Sequence, residues 1–163
     1  MSILHNSVEE IGRILCATAS TLAVAESCTG GMIGSGITSL SGVSSWFQGG
    51  VIAYENQIKE RVLAVSHQSL QSFGAVSPAV AGEMARGVKN LFSSTWGLSV
   101  TGIAGPGGGS PEKPVGTVCI AVVFQDSTWE YTHHFDGDRH MVREHTTLHA
   151  LRHLQGHVQK HSL

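Results

Sequence analysis

Ala25-Glu26-Ser27-Cys28-Thr29-Gly30-Gly31 is the stretch on which the reading of the fold turns. A β-type run from Thr21 to Glu26 ends there, the glycines break it, and a helical segment from about Thr29 to Leu40 follows. Ser27 is thus a hydroxyl at a strand end, handed to a glycine-rich turn, which is where a nucleophile belongs.

Outward from that turn, the pattern alternates. It predicts an N-terminal helix over Ser7 to Ser20, a strand from Trp46 to Tyr54, a short helix starting near Asn56, and a helical turn or two from Ser66 to Phe73. Ser77-Pro78 is a helix start with Ser as N-cap, followed by Val80, Met84, Val88 and Leu91 at helical spacing. Strands at Gly97 to Thr101, Gly116 to Phe124 and Thr128 to Phe135 come next, the last two as a hairpin around Gln125-Asp126-Ser127. A final helix is expected over Asp138 to His157. Strands alternating with helices and ending in a hairpin imply an α/β fold, a three-layer α/β/α sandwich with a mixed β-sheet.

The chain of 163 residues is long enough for one domain with one core, expected over residues 1–163. It is 41% hydrophobic and 13% charged, an ordinary globular balance. The net charge of −2 and the lack of a basic block leave nucleic-acid binding unsupported. Neither a secretory signal nor an apolar run of the roughly 18 residues that suggest a membrane span is present, so a cytoplasmic location without membrane association is expected. Cys16, Cys28 and Cys119 are scattered and read as reduced, mostly buried thiols. If Ser27 faces a cleft, Cys28 should face the core.

A serine hydroxyl needs a base to take its proton. The best-placed candidate is Lys59, shortly after a helix start at Asn56, where the positive end of the helix dipole disfavours the ammonium. Bringing a lysine from ~10.4 to ~7 or 8 takes roughly 3.5 to 5 kcal/mol of differential stabilisation. The dipole supplies too little, so burial beside Tyr54 must provide most of it.

The backbone N–H groups of Thr29, Gly30 and Gly31 suit an oxyanion or phosphate. A second glycine-rich loop, Thr101 to Gly109, fits no standard nucleotide fingerprint, yet it allows close approach of a ligand, with a hydroxyl at Thr101. Arg139 and Arg143, one helical turn apart, either grip a carboxylate or phosphate or pair with Asp136, Asp138 or Glu144 at the surface. His145, His149, His153, His157 and His161 recur every four residues, opposite a face made by Leu148, Leu151, Leu154 and Val158. That stripe is expected to be solvated, with adventitious metal binding at most.

Taken together, Ala25 to Gly31, Trp46-Phe47 through Tyr54 and Lys59, Gly74-Ala75-Val76-Ser77, Thr101-Gly102-Ile103-Ala104-Gly105-Pro106, Lys113 to Thr117 and Gly137-Asp138-Arg139 resemble the CinA C-terminal domain family. The resemblance covers nearly the whole chain, with the motifs in the family's order. Stand-alone members are nicotinamide-nucleotide amidohydrolases, so the resemblance implies deamidation of nicotinamide mononucleotide to nicotinic acid mononucleotide and ammonia, without cofactor or metal. Carried over, Ser27 is the nucleophile and Lys59 its base. Tyr54, Thr101 and Arg139 shape the pocket, with Gly102 and Gly105 in the loop beside it. The resemblance also implies a homodimer or higher homo-oligomer. Two other readings fit the same residues: a non-catalytic nucleotide-binding or regulatory module, and a Ser-Lys amidase for another small substrate.

Overall fold

The computed structural model describes residues 3–161. In chain order the elements are α1 (Ile3–Ala17), β1 (Leu22–Glu26), α2 (Met32–Thr38), a 3-10 turn (Val43–Ser45), β2 (Phe47–Ile52), α3 (Asn56–Leu63), α4 (His67–Phe73), α5 (Pro78–Phe92), β3 (Trp96–Gly102), β4 (Thr117–Phe124), β5 (Ser127–His134) and α6 (Arg139–Lys160). The five strands form one mixed sheet in the order β2-β1-β3-β4-β5. β1 runs parallel to β2 and β3, and β4 is antiparallel to both β3 and β5. This is the α/β sandwich expected from the alternation of elements.

Side-chain alternation along the strands separates the two cores. Leu22 and Val24 of β1, Trp96, Leu98 and Val100 of β3, and Val118, Ile120 and Val122 of β4 pack with Ile11, Leu15, Ile33, Leu151 and Leu154 from α1, α2 and α6. On the other face, Ala23 and Ala25 meet Leu63, Val80, Met84 and Val88, while Cys119, Ala121 and Val123 meet Ala81 and Ala85. The second face is built of small residues because α5 lies close. A Cβ on Gly97 would stand 2.2 Å from the Ala85 carbonyl oxygen, and Ser99 donates its hydroxyl to the Ala81 carbonyl at 2.5 Å.

Several boundaries differ from the sequence reading for local reasons. α2 begins at Met32 rather than Thr29, because Gly30 (φ 58) and Gly31 (φ 101) sit in the left-handed region and delay the helix. α1 spans Ile3–Ala17 and stops short of Ser20, since Ala19 turns to φ 50. α3 is capped by Glu55, one residue ahead of the expected Asn56, with no side-chain cap bond. Ser66, Ser77 and Asp138 cap α4, α5 and α6 with side-chain acceptors.

The largest departure is the histidine stripe of α6. The helix does bury Val142, Ala150, Leu151, Leu154 and Val158, but the flank beside them is covered by the edge strand β5 instead of water. His153 stacks on Tyr131 at a centroid distance of 3.7 Å and His157 on Trp129 at 4.0 Å. The Tyr131 hydroxyl and His157 Nε2 lie 2.6 Å apart. Only His145 and His161 of the stripe are exposed. Burial lowers the pKa of His133, His149 and His157, and that of His153 to about 4. The helical wheel separates apolar from polar positions, and imidazole crosses that division by stacking on aromatic rings.

Candidate active site

The parallel strands β1 and β3 end side by side, with Glu26 paired to Val100, and the chain from β1 to β2 departs on the opposite side of β1 from β3. Such a switch point opens a crevice beyond the strand ends. Ser27 lies in it, its amide donating to the Val100 carbonyl at 3.1 Å. A pocket of about 180 Å³ is lined there by Ser27, Lys59, Tyr54, Thr101, Gly102 and Arg139, among others. Wider grooves exist beside Trp46 and beside Met32, but neither brings a lysine to a hydroxyl.

Lys59 is 1% exposed, and its Nζ lies 3.2 Å from Ser27 Oγ, 2.8 Å from the Ala53 carbonyl and 3.1 Å from the Tyr54 carbonyl. A neutral amine has two N–H groups and one lone pair. The two carbonyls take the two N–H groups, and the lone pair then faces Ser27. Protonated, the same nitrogen donates to all three oxygens. Withdrawal from water lowers the lysine pKa, the direction a general base needs. Tyr54 contributes its backbone oxygen, while the residue is 58% exposed and does not bury the amine as the sequence suggested.

Glu26, to which the sequence reading gave no role, occupies the start of α2. It is 2% exposed, and its oxygens accept from the Thr29 hydroxyl (2.5 Å) and the amides of Gly31 (3.0 Å), Ile33 (3.1 Å) and Gly34 (2.8 Å). The expectation that Thr29, Gly30 and Gly31 together present free N–H groups is therefore corrected. Gly31 is committed to Glu26 and the Gly30 amide to the Ser27 carbonyl. The amides of Cys28 and Thr29 make no hydrogen bond to another described residue. An acidic residue just ahead of a helix start is the signal that was available, since anions favour that position.

The two arginines divide the work. Arg143 donates from Nε to the Cys28 carbonyl (3.1 Å) and from Nη2 to the Thr29 carbonyl (2.9 Å), so α6 holds the nucleophile turn in place. Arg139 donates to the Gly105 carbonyl (2.8 Å) and to the Tyr54 hydroxyl (3.2 Å), and stands exposed at the pocket. Neither forms the surface ion pair considered from sequence. Thr101 is buried, and its hydroxyl donates to the Ala75 carbonyl at 2.9 Å. Gly102 lines the pocket where a Cβ would stand 2.7 Å from Val118. Gly105 enters through its carbonyl alone, as the anchor for Arg139. Cys28 is buried in the core, its thiol pKa pushed up to about 12 by desolvation, so it does not compete with Ser27 as a nucleophile.

A family model described as the CinA C-terminal domain matches residues 4–158. The chain belongs to the CinA C-terminal domain family. A CinA-like protein of Fervidobacterium nodosum is 46% identical over 145 residues, 89% of this chain but 35% of that protein. The CinA domain here thus spans about a third of the length of that curated relative. Solved structures agree over almost their whole length: competence damage-inducible protein A (ComA) from Klebsiella pneumoniae, at 31% identity and a TM-score of 0.92, covers 96% of this chain and is itself 97% covered. The competence/damage inducible protein CihA from Agrobacterium tumefaciens, at 34% identity, also has a TM-score of 0.92, with 96% of each chain covered. Among the described residues of this CinA domain, no helix is long and apolar enough to cross a membrane.

Proposed function

We propose that this chain is an amidohydrolase acting on nicotinamide mononucleotide through a Ser27–Lys59 pair. The observation that carries the reading is the buried Lys59 Nζ at 3.2 Å from Ser27 Oγ, with two carbonyls fixing its remaining valences. The choice of substrate rests on the family resemblance, and the hydrolytic chemistry on the geometry.

Neutral Lys59 takes the proton of Ser27 as Oγ attacks the carboxamide carbon. The oxygen that becomes negative is met by the amides of Cys28 and Thr29, the first of which belongs to the residue directly after the nucleophile. Collapse of the tetrahedral intermediate expels ammonia with the proton carried by Lys59. Water, deprotonated by Lys59, then cleaves the acyl-serine, releasing nicotinic acid mononucleotide and restoring Ser27. A pocket of about 180 Å³ is below the usual size for a whole drug-like ligand and takes the pyridine ring, leaving ribose and phosphate at the mouth by Arg139. Arg139 retains guanidinium donors beyond those used on Gly105 and Tyr54 and offers them to the phosphate.

Ammonia release from nicotinamide mononucleotide, measured beside release from nicotinamide riboside and free nicotinamide, tests the reading. Activity that needs the phosphate supports it. Hydrolysis of other amides with none on the nucleotide assigns a different substrate, and binding of the nucleotide without turnover makes the chain a regulatory module.

A further inference from the structure

The seam between β5 and α6 holds a group of side chains that the proposed hydrolysis does not use. His133 of β5 and His149 and His153 of α6 are half-buried, and one ring nitrogen from each lies within 4.8 Å of the other two. The Nε2 atoms of His133 and His153 are 2.8 Å apart, which requires that one ring present a lone pair to the other. A ring-to-ring hydrogen bond accounts for that pair, but not for the third nitrogen converging from the preceding turn of α6.

We propose that His133, His149 and His153 form a binding site for a divalent late first-row metal ion of the Zn²⁺ class. Three imidazoles are a donor set suited to Zn²⁺, Ni²⁺ and Cu²⁺ and poor for Mg²⁺ or Ca²⁺. Tetrahedral Zn²⁺ with Zn–N bonds of ~2.0 Å places its nitrogens about 3.3 Å apart. Reaching that arrangement means opening the close pair slightly and swinging His149 inward, movements within reach of ring rotation. Aromatic side chains flank the rings: Tyr131 stacks on His153 at 3.7 Å, and Phe135 lies 5.2 Å from His133 and 4.9 Å from His149. Three protein ligands leave a fourth position for water.

The site lies apart from the hydrolytic centre. His149 is about 15 Å further along α6 than Arg139 at 1.5 Å per residue, so the ion is a clamp and not a participant in the reaction. It joins the edge strand to the helix that covers it. It also fastens the helix whose Arg143 holds the nucleophile turn.

The test is titration of the chelator-stripped chain with Zn²⁺ by calorimetry, with long-range ¹H–¹⁵N spectra of the imidazole nitrogens. One ion should bind per chain, with the ring signals of His133, His149 and His153 shifting together. His149→Ala and His153→Ala should each weaken Zn²⁺ by more than the roughly tenfold to hundredfold lost with a mere supporting group. His67→Ala, on the exposed surface of α4, should not. The proposal is overturned if the shifts are confined to exposed His145 and His161, if affinity survives both alanine changes, or if no stoichiometric ion binds. The spectra decide the matter on the unaltered chain even if a variant misfolds.

Discussion

The crevice beyond β1 and the seam beside β5 both withdraw polar side chains from water, and they partner them differently. At the crevice, Lys59 and Glu26 are held almost wholly by backbone: two carbonyls for the amine, three amides for the carboxylate. Along the seam, imidazoles are held by aromatic faces and by one another. Backbone groups cannot reorient without moving a strand or helix, so the crevice is preorganised, whereas stacked rings slide and turn at little cost. Preorganisation is what proton transfer and oxyanion binding require, and adaptable lone pairs are what an incoming ion requires.

The largest expected effect breaks the crevice side of the comparison. Ser27→Ala and Lys59→Met should each lower amide hydrolysis by about 10⁴-fold or more, and the double variant by little beyond either, because residues acting as a unit are not additive. Ammonia release by folded protein reads this out. Losses that multiply would mean the two side chains do not act together.

Glu26 comes next. Glu26→Ala leaves three helix-start amides and the Thr29 hydroxyl without their acceptor, an expected cost of about 2–3 kcal/mol in urea unfolding. Glu26→Gln keeps one acceptor oxygen and should lose less. A neutral result for both would show that water replaces the carboxylate freely, and the crevice would then be no more rigid than the seam.

How much of this was legible in the sequence follows the same division. The strand-turn-helix at Ser27, the caps at Ser66, Ser77 and Asp138 and the order of elements are local patterns, each written in a few consecutive residues. Lys59 is legible because it follows a helix start at Asn56, where the helix dipole disfavours its charged form. Glu26 lies inside the quoted motif, yet its role depends on Gly30 and Gly31 turning left-handed, which swings three amides back onto the preceding strand end. The seam is not legible there, because solvent exposure along α6 is decided by β5, and a helical wheel contains no neighbour. Arg143 was visible only as one of two arginines, since its acceptors are carbonyls more than a hundred residues away.

Arg143 sharpens the contrast within the crevice itself. It touches no reacting group and acts by holding the carbonyls of Cys28 and Thr29, so Arg143→Ala should lower kcat by roughly tenfold to a hundredfold while leaving KM nearly unchanged, the expected cost of a misplaced nucleophile. Arg143→Lys should rescue only part, because one ammonium cannot reproduce two diverging N–H donors. Arg139→Ala should do the reverse and raise KM for the nucleotide. Steady-state kinetics on the two variants separate positioning from binding, and identical profiles would refute the division of labour.

The smallest effect is the dependence of stability on the charge of Lys59. Its folded pKa is lowered by burial while the unfolded chain keeps the ordinary lysine value near 10.5. Between those two values the unfolded state binds the extra proton, so stability rises with pH across that window. Below the window the folded protein carries the full cost of a buried ammonium, and above it none. Measured against Lys59→Met, which has no such group, wild type should gain stability as pH climbs through the window. Hydrolysis should rise over the lower edge of the same window, as the amine becomes free to accept the Ser27 proton. Activity and relative stability therefore rise with pH for one reason, and a rate profile that falls as the amine deprotonates would remove Lys59 as the base while leaving its three hydrogen bonds a purely structural matter.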